Sequence, residues 1–392
     1  MVVYLDHAAS TPVRPEVVTL VGALLGASGN PNAVHSAGQK TKAVLEQARE
    51  DIAALLGANR NEVIFTSGGT EANNLAVLGL FAARNASANR PLVLCLGTEH
   101  HAVLEAAEHL EKTGATLVLI PVTQSGQPDS DWLESYLAEH HEQVALVAAI
   151  WANNETGTVI NLPKIAQICK RFQVPVHSDA VAAVGHLEVD FGALGVDTLA
   201  FTGHKIGAPV GIGALLVARG SKVAPRAFGG SQERAIRPGT QDVVGAAAIA
   251  EALRLAVSEL PGHRSEWERL RARLIRGVFE AVPGAQLAGE ALDSSAELRI
   301  PNIVNLVFPG CAGESLLFLL DSAGVAISNG SACNAGVVGG SHVLQAMGWS
   351  MKDSQSAVRV SFGVSTTEAD IDKFLAALPE AHRRALNAGF TS

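Results

Sequence analysis

The chain has 392 residues, 48% of them hydrophobic and 17% charged, which is enough for two domains with large buried cores and has the balance of an ordinary soluble globular protein. Lys and Arg number 29 against 38 Asp and Glu, and the resulting net charge of −9 argues against a nucleic-acid-binding surface. The opening Met1-Val2-Val3-Tyr4-Leu5-Asp6 has no basic segment followed by an apolar one, and no apolar run could span a bilayer, so neither a secretory signal nor a membrane span is expected and the cytoplasm is the expected location. The predicted elements alternate from about residue 42 to 220. Apolar runs at 63–65, 92–96, 116–120, 144–150, 174–177, 198–201 and 214–217 read as strands. Helical patterns at 42–56, 70–84, 100–112, 130–140 and 163–172 fall between them. This alternation predicts a mostly parallel sheet covered by helices on both faces. After Gly239 two long helices are expected, at 242–260 and 265–282, followed by a smaller α+β domain with strands at 303–308 and 358–362 and helices at 314–322 and 368–378.

Candidate site residues cluster just past the strands. Phe201-Thr202-Gly203-His204-Lys205-Ile206-Gly207 puts a lysine after an apolar run and among glycines; such an amine can form a Schiff base with an aldehyde cofactor, although the same pattern also suits a surface turn. Thr66 to Asn74 follows a strand and opens a helix, so the backbone at Gly68, Gly69 and Thr70 suits a phosphate, or else a plain helix cap. His100 and Asn154 also follow strands, where open α/β sheets place their ligands. Asp179, directly after an apolar strand, could pair with a protonated pyridine nitrogen, and Arg359 inside an apolar strand needs an anionic partner, either a substrate carboxylate or a structural one. Residues 229–240 read by themselves as a mobile surface loop. The four cysteines form no CxxC pair, and disulfides are not expected. Cys95 and Cys169 read as core thiols, whereas Cys333, among small residues and glycines, suits a reactive thiol on a loop. No motif calls for a metal.

In order, the motifs TSGGTEANN (66–74), TEHH (98–101), NNETG (153–157), HSDA (177–180), TGHK (202–205), GGSQER (229–234) and GSAC (330–333) closely resemble those of the cysteine desulfurases, in the subgroup with the longer catalytic loop. The resemblance runs from Leu5-Asp6-His7 to the strand holding Arg359. It implies the α/β fold of type I pyridoxal phosphate (PLP) enzymes in the class V aminotransferase superfamily, with a seven-stranded, mostly parallel sheet in a large domain (16–255) and a small domain (1–15 with 256–392). It also implies roles: Lys205 as the Schiff-base lysine and proton carrier, with Gly69, Thr70, Thr202, His204 and, from the partner subunit of a homodimer, Thr240 on the phosphate. His100 would stack on the ring and serve catalysis, Asp179 would take the pyridine nitrogen, and Asn154 would lie near the ring oxygen. Arg359 and Asn30 would hold the carboxylate of L-cysteine. Cys333 would accept the sulfur and pass it to an acceptor protein such as an iron–sulfur scaffold.

Two positions depart from the pattern of the family, Asn334, where serine or threonine is more usual, and Ala182, which matters more. Ala182 stands where a glutamine usually donates to the ring's phenolic oxygen, so a hydrogen bond worth roughly 1 kcal/mol is missing unless another group supplies it. An aminotransferase that does without Cys333, a selenocysteine lyase and a non-enzymatic PLP-binding protein remain open at this point.

Overall fold

Leucines, valines and alanines alternate between two sides along each run, and the two sides find two different partners. In the computed structural model, which describes residues 2–26, 29–330 and 340–389, seven strands lie side by side. Their order is Val63–Thr66, Gly213–Val217, Thr198–Thr202, Val176–Asp179, Val144–Ala148, Leu92–Leu96 and Thr116–Ile120. Gly213–Val217 is antiparallel to both of its neighbours and the remaining pairs are parallel, as the sequence implied. Val93 and Cys95 face a core shared with Val77, Leu80 and Val103, while Leu94 and Leu96 face the opposite core with Ile52, Leu56 and Phe201. A strand covered on both faces must be apolar throughout, which is why Val144–Ala148 is buried along its whole length.

A second core forms around a three-stranded antiparallel sheet of Gln286–Ala288, Ile303–Val307 and Ala357–Ser361. The beginning of the described chain joins this part. Val3–Tyr4 pairs in parallel with Val325–Ala326, and the Ser361 N–H donates to the Leu5 carbonyl. The described residues include no helix long and apolar enough to cross a membrane.

Two elements differ from the sequence reading. The expected pair of helices is one helix, Val243–Ala281, of 39 residues with Pro261 inside it. Proline removes a hydrogen bond and crowds the preceding turn, a cost of about 3 kcal/mol. Burial on both sides of it offsets that cost: Ala246, Ile249, Leu253 and Leu255 lie in the first core, and Leu260, Trp267, Leu270 and Leu274 in the second. Local composition signals a stop, and packing overrides it.

The other difference is the loop at 229–240, which is pinned rather than loose. Glu233 is buried, receives the Arg49 guanidinium at 2.7 and 2.8 Å, and accepts the Phe65 N–H at 2.9 Å. Glu233, Arg234 and Ala235 all have left-handed backbones, with φ of 48°, 58° and 58°. Such conformations are unfavourable for residues with side chains by about 1–2 kcal/mol each and persist only where surrounding contacts fix them. Glu233→Ala strands a buried guanidinium, so we expect a loss of about 3–5 kcal/mol in stability, read as a lower urea midpoint.

Candidate active site

A cavity of about 260 Å³ opens at the carboxyl ends of the parallel strands. One end is the start of the helix Gly69–Asn85, where Gly69 and Thr70 line the wall. No larger residue fits there: a Cβ on Gly69 would lie 2.6 Å from Val181 Cγ2, and one on neighbouring Gly213 would lie 2.7 Å from Gly68 Cα. Thr202, at the end of its strand, and His204, in the following turn, line the same wall. Burial, and then the charge of Lys205, hold the His204 ring well below the usual histidine range, to about 4, so it is neutral at pH 7. Its buried Nδ1 has no hydrogen-bond partner among the described residues.

Lys205 closes the same turn and projects into the cavity. Its Nζ donates to the Ala9 carbonyl at 2.9 Å and to the Ala8 carbonyl. The Thr11 N–H donates to the His204 carbonyl, so residues 8–11 form the bed of the lysine turn. This contact spans about two hundred residues of sequence, and no local pattern announces it.

Asp179 ends its strand with its side chain buried. Oδ1 accepts the Val181 N–H at 2.9 Å and Oδ2 accepts Asn73 Nδ2 at 2.7 Å. Behind Asn73 lies His177, fully buried and pushed down to about 3 by burial, hence neutral. His177 Nε2 lies 3.0 Å from Asn73 Oδ1 and Nδ1 lies 2.9 Å from Thr198 Oγ1. Because Asn73 turns its amide donor to Asp179, its oxygen faces His177, which must then donate from Nε2 and accept from Thr198. Thr198, His177 and Asn73 thus aim one carboxylate. The sequence reading passed over this chain, although a histidine inside an apolar strand signals a buried polar partner.

His100 caps the helix His101–Glu111, its Nδ1 accepting the Ala102 N–H at 3.1 Å, and its ring lines the cavity. Burial lowers its pKa; Lys205 and the neighbouring His101 and His342 push the same way, while Asp179 opposes them. Asn154 lines the cavity too, and its carbonyl accepts Arg359 Nη1 at 2.8 Å. Arg359 Nη2 pairs with Asp6 Oδ1 at 2.9 Å. The arginine therefore has its structural anion and also faces the cavity, where its buried Nε has no hydrogen-bond partner among the described residues.

Lys205, His100, Gly69, Thr70, Asn154, Asp179, Thr202, His204 and Arg359 thus meet in one cavity, and Ala182 lines it as well. Two candidates lie elsewhere within the chain. Thr240 lines a separate hollow of about 530 Å³ with Gly29 and Pro31, the neighbours of Asn30, and Asn32 Nδ2 donates to Gln241 there. Cys333 lies outside the described residues. Cys95, Cys169 and Cys311 are buried free thiols, and burial pushes Cys169 up to about 12 and Cys311 up to about 11.

A lysine, a carboxylate, an aromatic ring and a helix start converging at the strand ends of this fold define a class that the comparisons name. The chain belongs to the class-V aminotransferase family, whose model matches residues 3–374, and within it to the cysteine desulfurases. An IscS-like cysteine desulfurase of Mycobacterium tuberculosis is 41% identical, over 99% of this chain and 98% of that protein. The cysteine desulfurase IscS of Dictyoglomus turgidum is 38% identical, over 94% of this chain and 92% of its own length. Among solved structures, a NifS-like protein superposes with a TM-score of 0.88 at 31% identity, covering 97% of this chain and 99% of that one.

Proposed function

We propose that the protein is a PLP-dependent cysteine desulfurase that converts L-cysteine to L-alanine and leaves the sulfur as a persulfide on Cys333. The observation that carries this reading is the meeting of Lys205, Asp179, His100 and Arg359 in one cavity that ends at a helix start. The residues fit the cofactor. The first N–H groups of the helix Gly69–Asn85 have no intrahelical acceptors and suit a phosphate, and His204 Nδ1 is an orphaned polar atom on the same wall. Asp179, aimed by Asn73, suits a protonated pyridine nitrogen, and the His100 ring offers a stacking face.

PLP bound here supplies an electron sink for the charge left at the substrate Cα. Lys205 takes the Cα proton. Arg359, fixed by Asp6 and the Asn154 carbonyl, orients the substrate carboxylate through N–H donors that those bonds leave over, Nε–H among them, with Asn30 as a second residue. The Cys333 thiolate attacks the substrate sulfur: the Cβ–S bond breaks and its electron pair stays on Cβ, an S–S bond forms on Cys333, Cβ gains a proton, and Lys205 returns one to Cα to complete alanine. A homodimer in the cytoplasm, with Thr240 of the partner subunit on the phosphate and an iron–sulfur scaffold as the acceptor protein, completes the reading. The division into domains 16–255 and 1–15 with 256–392 belongs to it too, and is supported by the long helix passing between the two cores near residues 255–260.

The test is to add PLP and then L-cysteine with a thiol reductant to the purified protein. Alanine and sulfide should appear in equal amounts. No alanine would sink the reading, and alanine formed only with a keto acid would indicate a transaminase. Asn73→Ala removes a charge-assisted bond worth about 1.5–3 kcal/mol to Asp179. It should weaken PLP retention by about tenfold or more in an absorbance titration.

A further inference from the structure

Glu99 is a carboxyl group that the reading above leaves unused. It is fully buried, in the short loop between the strand Leu92–Leu96 and His100, and it lines the cavity. Oε1 accepts the Ile150 N–H, while Oε2 is buried with no hydrogen-bond partner among the described residues. The groups around it are Asp179, whose strand lies one beyond Val144–Ala148, Cys95 on the strand before it, His100 and His101 after it, Lys205 across the cavity, and His342, whose Nε2 meets the Glu99 carbonyl at 2.9 Å. No ion pair reaches Glu99 among the described residues, and Arg359, the cavity's fixed cation, is held by Asp6 and Asn154. A buried carboxyl beside another carboxylate and with no cation paired to it keeps its proton. Burial first, and then Asp179, raise it well above the usual carboxylate range, against the Ile150 N–H. A neutral carboxyl is a donor, and Oε2 is the oxygen left to donate.

The strand order says what it would meet. In a pyridoxal ring the nitrogen and the carbon that takes the lysine are opposite each other, and the phosphate arm and the phenolic oxygen lie on either side of that carbon. With the phosphate at Gly69 and Thr70 and the nitrogen at Asp179, the phenolic oxygen points away from the strand Val63–Thr66, past Val176–Asp179, toward Val144–Ala148 and Leu92–Leu96. Those two strands lead into Asn154 and Glu99. Their loops are tied together by the Ile150 N–H on Glu99 and by Asn153 Nδ2 on the Thr98 carbonyl at 3.0 Å.

We propose that Glu99 is a further cofactor-binding residue: its Oε2 carries a proton and donates it in a hydrogen bond to the phenolic oxygen of bound PLP, the interaction for which Ala182 has no donor. The proposal rests on the cofactor reading above.

Two measurements decide it. Infrared difference spectra of the cofactor-free protein at pH 7, wild type minus Glu99→Gln, should show the carbonyl stretch of a protonated carboxylic acid; carboxylate bands instead would overturn the proposal. With PLP bound, the pH midpoint of the long-wavelength absorbance band should stay near the wild-type value in Glu99→Gln, which keeps an N–H donor. It should rise by about one pH unit in Glu99→Leu, because the phenolate then loses its stabilisation. An unmoved midpoint in Glu99→Leu overturns the assignment. Should Glu99→Leu not fold, the infrared spectra and the Glu99→Gln midpoint decide, a displaced Glu99→Gln midpoint counting against the assignment. If the wild type forms no such band, the cofactor reading fails, and Glu99's role fails with it; a normal wild-type band with no effect in the variant removes Glu99 alone.

Discussion

Lys205→Ala should abolish alanine release from L-cysteine while leaving a folded protein. The amine sits on a turn fixed by backbone bonds, from the Thr11 N–H to the His204 carbonyl and from the Arg14 N–H to the Gly207 carbonyl, and those do not depend on the lysine side chain. Truncation leaves the Ala8 and Ala9 carbonyls short of a donor at a half-buried position, a cost of about 1–3 kcal/mol that a domain of this size tolerates. The loss to chemistry is much larger. A positioned proton carrier contributes about 10²–10⁴ in rate, and no other amine lines the cavity among the described residues. Alanine release should therefore fall by at least about a thousandfold, with circular dichroism unchanged. Lys205→Arg separates the two roles, since it can still donate to the Ala8 and Ala9 carbonyls but cannot take the Cα proton. Turnover within tenfold of wild type in either variant would remove Lys205 from the mechanism.

Cys333→Ser should keep the absorbance of the bound cofactor and lose the persulfide. Cys95, Cys169 and Cys311 are buried, and burial holds each of them well above the usual thiol range, so none presents a thiolate near neutral pH. A sulfur taken from L-cysteine then has one acceptor in the chain. After brief exposure to L-cysteine without reductant, mass spectrometry of wild-type peptides should find one added sulfur atom on the peptide containing Cys333, and none in the variant. Sulfur on a peptide carrying Cys95, Cys169 or Cys311 would reassign the acceptor.

How far the site was legible follows from how local each contact is. Asp179, His100, Asn154 and Lys205 announce themselves because each comes just after an apolar strand, and a parallel sheet gathers such positions at one end. Asp6 does not, because its partner Arg359 lies 353 residues away and neither neighbourhood hints at the other. Glu99 and Asn73 appear in the sequence as members of motifs, and only the folded chain shows that one lines the cavity with a buried, unpartnered oxygen and the other aims Asp179. The Pro261-Gly262 pair reads as a helix end because local propensity is all that a sequence offers there, whereas two cores on either side decide otherwise. Glu233 shows the same limit: a glutamate among glycines looks solvated until Arg49 is found behind it.

The bond between Asp6 and Arg359 also sets the order of events during synthesis. The segment carrying Asp6, Ala8 and Ala9 leaves the ribosome long before Arg359 and the strand Ala357–Ser361 exist to receive it. At about 5–20 residues per second, the 353 residues between them take roughly 20–70 s to make. For most of that interval Val3–Tyr4 lacks its partner Val325–Ala326, and Asp6 lacks Arg359 until its end. The large sheet, complete by Val217, can assemble first, while the segment at 3–6 remains an unpaired edge open to other chains. An unpaired edge of this kind is aggregation-prone, which is where chaperones act on a nascent chain.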